Sequence, residues 1–294
     1  NLYIQSIISK GNNIFVGTLN DIFLSTDNGE NWVRKNTGLT DSIITTFEVD
    51  ENNIWAGTEW GGVFLSTDNG DSWNQKLKDA GVFSIAVNGT KIYAGSYSCI
   101  FISTDYGESW TKSKYIYSAN ISCIALRDDV IIAGAKDIGS LSKGGIFISK
   151  DNGESWVQTK SGDIRALTIC DNQIFAGAIY GLYISTDNGE SWVQKRFKVE
   201  YPLIYSFAVS GDTIIGGSSG GTIYFSTDKG ENWSVNDPGI DHKGLLSLAI
   251  NGNSIFAGTW SNGIFLSTDK GYSWTQKNSD LNRISVRSLV INGN

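Results

Sequence analysis

The stretch FLSTDNGENW at residues 23–32 occurs seven times with small edits, and this repetition constrains the fold more than any other feature of the chain. With its aspartate as marker the copies fall at Asp27, Asp68, Asp105, Asp151, Asp187, Asp228 and Asp269, in steps of 41, 37, 46, 36, 41 and 41 residues. Periods of this length belong to propellers or solenoids. The last complete repeat reads LLSLAING, SIFAGT, GIFLSTD and YSWTQK, which predicts four short strands with turns between them and no helix. A sheet of that size cannot bury both faces alone, so repeats must stack, and seven of them closing into a ring remove the edges that an open stack exposes.

The first strands support this. Ile85, Ile124, Leu167, Phe207 and Leu248 alternate with Ala86, Ala125, Thr168, Ala208 and Ala249, as suits an innermost strand packed on both faces. The expected fold is all-β, a seven-bladed β-propeller of four-stranded antiparallel blades forming one domain over residues 1–294. Both ends carry a first-strand-like run, IQSIISKGN (4–12) and VRSLVINGN (286–294), so 284–294 is expected to be one such strand too many. Either one terminal strand displaces the other, or the chain is cut from a longer array. The start at Asn1 and the absence of Met point to an internal part of something larger.

Each repeated stretch reads aromatic, aliphatic or aromatic, Ser, Thr or Lys, Asp, any residue, Gly, any residue, Ser or Asn, Trp. The glycine supplies positive φ, and the Asp carboxylate accepts hydrogen bonds from turn N–H groups. Phe23 and Trp32 are expected to bury large apolar surface on either side, about 1.5–3 kcal/mol for a full-sized side chain. The pattern resembles the Asp-box, the bacterial neuraminidase repeat, over nearly the whole chain. The seven regular repeats most resemble the photosystem II assembly factor type among families that also include sialidases, xyloglucan hydrolases and sortilin-like receptors. The resemblance implies a propeller in which the seven aspartates are scaffold, and a secreted, periplasmic or cell-surface location.

Composition excludes several functions. A net charge of −7 with no run of Lys or Arg disfavours nucleic acid as partner, and no apolar stretch is long enough to insert in a membrane. Cys99, Cys123 and Cys170 are odd in number and fit neither a disulfide framework nor a metal site, so buried free thiols are expected. With His242 as the single histidine, a Ser/His/Asp system would have to use it. After the box glycine the further oxygen ligands of a calcium loop are missing, so neither metal nor other cofactor is expected. The glycine-rich run at 216–222 precedes a strand and is not a phosphate loop.

Function should lie where the repeats differ. All length variation falls between the second-strand glycine and the box Asp (10, 11, 10, 17, 10, 11 and 11 residues) and between the box Trp and the next first strand. In a four-stranded blade both connections open on the same face, which is free to carry a site. Trp60 and Trp260 fall there, with Tyr97 and Tyr180 in similar places, and Tyr115, Tyr117, Phe197, Tyr201 and Tyr205 in or near the other connections. Residues 135–145 are a long insertion, either a lid or a surface excursion. Two places before the first-strand apolar marker the repeats show Gln5, Thr45, Phe83, Ser122, Arg165, Tyr205 and Leu246, expected near the channel mouth.

The candidate ligand contacts are therefore Trp60, Trp260, Tyr97, Tyr180, Arg165 and Tyr205. Exposed aromatics beside polar side chains suit a sugar ring or a protein anchor. The expectation is a monomeric, non-catalytic module that binds a glycan or a protein. A glycoside hydrolase using two of Asp21, Glu59, Asp137, Asp163, Glu200 and Asp241 is the runner-up, and a ligand-free scaffold, natural or engineered, the third reading.

Overall fold

The computed structural model describes residues 4–27, 29–41, 43–50, 53–114, 116, 119–137, 144–197, 203–236, 244–277 and 285–290. They form seven sheets, each of four antiparallel strands in sequence order, and contain no helix. The fold is an all-β, seven-bladed β-propeller. Two compact units divide the chain, Asn1–Ser161 with blades 1 to 4 and Gly162–Asn292 with blades 5 to 7. Blade 1 is Ile4–Lys10, Asn13–Thr18, Ile22–Ser25 and Val33–Arg34. The later first strands are Ile44–Asp50, Ser84–Asn88, Ala119–Arg127, Ile164–Cys170, Ile204–Ser210 and Leu245–Asn251. Residues 138–143, most of the predicted insertion, lie outside the described residues, as do Tyr115, Tyr117, Glu200, Tyr201, Asp241 and His242.

Within each unit, successive blades bury a shared apolar layer. Phe15, Ile22 and Leu24 of blade 1 meet Ile44, Phe47, Phe64 and Trp73 of blade 2, and Trp55, Val63 and Leu65 of blade 2 meet Val82, Ile85 and Ile92 of blade 3. In the C-terminal unit Ile215 and Ile223 pack with Leu245, Leu248 and Ile255 in the same way. Val286 extends the pattern. Its N–H donates to the Thr259 carbonyl at 2.9 Å, as Val82 does to Thr58, and it packs on Gly258 as Val82 does on Gly57. Residues 287–290 form no strand, and 284 and 291–294 are outside the described residues.

The repeated stretch sits between the third and fourth strands of every blade. In blade 3 the Ser103 hydroxyl donates to Asp105 Oδ1 at 2.8 Å and accepts from Gly107 N–H at 2.8 Å. Asp105 also accepts the Ser109 hydroxyl and N–H, while Trp110 Nε1 donates to the Gly107 carbonyl at 3.1 Å. Gly107 has φ +84°, and a Cβ there would lie 3.0 Å from Trp55 of blade 2, so the glycine serves both the turn and the seam. The hydrogen-bonded carboxyls are held low. The Asn31 and Asn232 backbone N–H groups lead in bringing Asp27 and Asp228 to about 2. Serine hydroxyls lead in doing the same at Asp105, Asp151, Asp187 and Asp269. At Asp68 burial pushes the carboxyl up, but the hydrogen bonds from Ser72 and Ser66 together outweigh it and the net shift is downward.

The expected deep burial of the box tryptophan is corrected. Trp73 is buried at 2% exposure because blade 1 covers it, whereas Trp32 is 42% exposed and its Phe23 neighbour half-buried. Around them Ile4, Val16 and Thr18 line an apolar cavity of about 250 Å³ in blade 1. The remaining box tryptophans are half-buried, and Trp110, Trp156, Trp233 and Trp274 pack against the apolar layers shared with a neighbouring blade. The three cysteines are free thiols, as expected, and burial leads in raising each, Cys123 to about 12.

Two residues break the repeat at a cost. Tyr224 takes the place of Phe64 and Phe265 in the third strand, and its hydroxyl is buried without a partner among the described residues. Tyr224→Phe is expected to raise stability by about 1 kcal/mol, read by chemical denaturation. Glu48 stands where four other first strands carry Ala (Ala86, Ala125, Ala208 and Ala249), and burial, then Asp50, pushes it up to about 7.

The pH dependence follows from both shifts. The depressed box carboxyls contribute stability that is full above the ordinary 3.8 and is lost as pH falls towards about 2. Glu48 has the opposite sign, its penalty growing as pH rises from the ordinary 4.5 through about 7. Thermal unfolding followed by circular dichroism should therefore show a Tm falling below about pH 4, with Glu48→Ala raising Tm at pH 8 and leaving it little changed at pH 4.

Candidate functional site

The position two before the first-strand marker proves to be a β-bulge. In six blades the ladder skips one residue, namely Gln5, Thr45, Ser122, Arg165, Tyr205 and Leu246. In blade 3 Phe83 immediately precedes the strand and its N–H donates to the Gly95 carbonyl at 2.8 Å. A bulge leaves its residue out of the ladder and re-aims the side chain, so these positions vary without disturbing the sheet.

In the N-terminal unit the structure brings three aromatics together. Trp60 is 62% exposed and lies nearly parallel to Tyr97, with ring centroids 6.3 Å apart and planes at 28°. Tyr97 meets Phe83 edge to face at 4.7 Å. The Trp60 loop is fixed from below. Asp41 Oδ2 accepts the Trp60 and Gly61 N–H groups at 2.8 Å each, Glu59 N–H donates to the Ile43 carbonyl at 3.0 Å, and Gln75 Nε2 donates to the Gly61 carbonyl at 2.7 Å. Burial and then the Glu59 charge raise the Tyr97 phenol, so it remains a neutral donor. The cluster joins an indole, a phenol and the loop that presents them.

In the C-terminal unit Arg165 and Tyr205, on the bulges of adjacent first strands, also come together, with the guanidinium 5.8 Å from the Tyr205 ring centroid. Arg165 is paired with Asp163, whose side chain is almost fully buried. Asp163 Oδ1 and Arg165 Nε have no partner among the described residues. Trp260 is 54% exposed, is held through its N–H on the Gly244 carbonyl at 3.0 Å, and has the Arg287 guanidinium 5.8 Å from its ring. Tyr180 is exposed on its own loop, whose carbonyl accepts Gln194 Nε2 at 2.7 Å.

Phe197 does not belong to the rim. It packs 4.4 Å from Tyr224 and 6.4 Å from Trp233, because the seam between blades 5 and 6 needs an apolar plug there. Two of the candidate carboxylates are committed to structure: Asp21 to Asn36 and Arg34, and Asp163 to Arg165. Among the described residues no group of three or more His, Cys, Asp or Glu could hold a metal ion. Sequence reasoning missed Asp41 and the supporting glutamines. The latter had a signal, since Gln75, Gln158, Gln194 and Gln276 all stand two after a box tryptophan and each donates to a carbonyl of its own loop.

Compared with known proteins, the chain matches the BNR/Asp-box repeat family at residues 101–112 and 183–194, the box hairpins of blades 3 and 5. It carries BNR/Asp-box repeats on a seven-bladed β-propeller. No curated protein matches it in sequence. Among solved structures it is similar to the computationally designed Ika8 protein, with TM-score 0.76 and 13% identity over 100% of this chain and 92% of that one. It is similar to YCF48 solved bound to D1 peptide, with TM-score 0.58 and 20% identity over 79% of each chain. The GH74 xyloglucanase from Xanthomonas campestris aligns with TM-score 0.69 and 13% identity over 93% of this chain, which spans about half (54%) of that enzyme. At these identities the likeness is one of fold.

The aromatic cluster depends on a glycine. A Cβ at Gly81 would lie 2.6 Å from Tyr97 Cε2 and 2.7 Å from the Glu59 carbonyl oxygen. Gly81→Ala is expected to cost about 1–3 kcal/mol in stability and to displace Tyr97 from Trp60, seen as a changed near-ultraviolet circular dichroism spectrum. Asp163→Ala, which strands Arg165, is expected to cost about 1–3 kcal/mol in chemical denaturation.

Proposed function

We propose that this protein is a non-catalytic binding module that recognises a glycan or a protein partner through its variable loops. The observation that carries the reading is the Trp60, Tyr97 and Phe83 cluster. An indole more than half exposed is costly to leave in water, yet Asp41 and Gln75 spend three hydrogen bonds holding its loop in place. Rigid aromatics with a polar surround bind at low entropic cost, whether the ligand is a sugar face or an apolar side chain. Tyr180, Trp260 with Arg287, and Arg165 with Tyr205 supply further contacts in the C-terminal unit. YCF48 was solved with a peptide and a xyloglucanase shares the fold, which supports testing both ligand classes. In this reading the protein acts as a monomer outside the cytoplasm.

The test is binding of the wild-type chain to a glycan array and a peptide array, beside Trp60→Ala/Tyr97→Ala. Losing Trp60, which is mostly exposed, should change stability by about 0.5 kcal/mol and losing Tyr97, which packs on Phe83, by about 1–2 kcal/mol, while the pair weakens binding about tenfold or more. Binding unchanged in the double variant, or no binding by the wild type to either array, overturns the reading.

A further inference from the structure

At four seams the fourth strand of one blade is tied to the Asp-box turn of the next. Lys35 pairs with Asp71 and Lys76 with Glu108 in the N-terminal unit. In the C-terminal unit Lys195 Nζ donates to the Glu231 carbonyl at 3.2 Å, and Asn236 Nδ2 donates to that of Gly271. These four tying residues hold one place in the repeat, three after the box tryptophan. At the seam between blades 3 and 4 that place is Ser113. Its hydroxyl stays within blade 3, accepting from Ile100 N–H at 3.0 Å and donating to the Lys114 carbonyl at 3.1 Å.

Two consequences follow. Glu154, the counterpart of Glu108, has no side-chain partner among the described residues. The seam also opens into a cleft of about 400 Å³ lined by Lys112, Ser113, Lys114, Asn152 and Glu154 above Ile102. Lys112 and Lys114 likewise have no side-chain partner among the described residues. Asn152 is held from behind by Lys91 Nζ at 2.7 Å. Two exposed ammonium groups and one exposed carboxylate thus line one concavity, where the four seams named above each spend a polar group on a tie.

We propose that this cleft binds a dicarboxylic amino acid, such as aspartate or glutamate. The ligand's two carboxylates and one ammonium complement the two lysines and Glu154 in number and sign. The volume lies within the range of small-ligand sites. Lysine suits the purpose because a compact ammonium on a flexible stem follows a small carboxylate without a fixed fork geometry. The site shares no residue with the aromatic cluster, so the two readings stand or fall separately.

Calorimetric titration with L-glutamate, L-glutamine and glutarate tests it on the whole chain. Glutamate is expected to bind, with an affinity that falls as salt rises. Glutamine, with one carboxylate fewer, and glutarate, with no ammonium, are expected to bind about tenfold more weakly. Lys112→Gln/Lys114→Gln should abolish the heat, and Trp60→Ala should leave it unchanged. Ser113→Lys restores the tie to Glu154, and is expected both to raise Tm and to block glutamate. Failure of the wild type to bind glutamate at millimolar concentration overturns the proposal, even if Ser113→Lys raises Tm, since the cleft is then an untied seam and nothing more. Binding that survives Ser113→Lys or the double lysine variant overturns it too.

Discussion

A carboxylate that accepts from a serine hydroxyl before it and from a backbone N–H four residues after it closes each Asp-box turn, and the rest of the structure is hung from that closure. It fixes the third and fourth strands in register, brings the tryptophan back over the box glycine, and places that glycine where the preceding blade can push Phe15, Trp55 or Phe175 beneath it. Because the bonding is local, every blade can repeat it with the same spacing. Insertions are then tolerated only on the connections that the box does not touch.

The loops on those connections are held as deliberately as the boxes. Asp41 reaches forward to two N–H groups of the Trp60 loop, and a glutamine from the fourth strand closes the loop from the other side. The same glutamine recurs in blades 4, 5 and 7. The scaffold therefore supplies a pre-organised frame for whichever residue the loop carries, so that an exposed indole in one blade and a phenol in another can be presented without a separate solution for each.

Much of this was legible in the sequence because it depends on local order. Period and alternation give the four-stranded blade, and the Ser-x-Asp-x-Gly spacing gives the box hydrogen bonds. What depends on a neighbouring blade was not legible. Trp32 and Trp73 hold the same place in the repeat, yet one is exposed and the other buried: the Trp73 indole N–H donates to the Lys35 carbonyl of blade 1 at 2.9 Å, whereas Trp32 donates to its own Gly29 carbonyl. Phe197 resembles the rim aromatics in its loop setting but plugs a seam. Trp60 and Tyr97 lie in different blades, and nothing in either stretch announces that their rings meet. Ser113 is unremarkable until the lysines at the same place in other blades show what it fails to do.

The bulge at the head of each first strand carries a consequence for how such a chain can change over generations. The extra residue stands outside the ladder, so its side chain answers to its own contacts and not to the strand pairing: Arg165 to Asp163, Thr45 to the Gly57 carbonyl. Gln5, Thr45, Arg165, Tyr205 and Leu246 show the range already sampled within one molecule. Six blades thus offer one place where a side chain can change without breaking the strand pairing, provided its own local contacts are met, so a repeated scaffold can vary its surface one residue per blade.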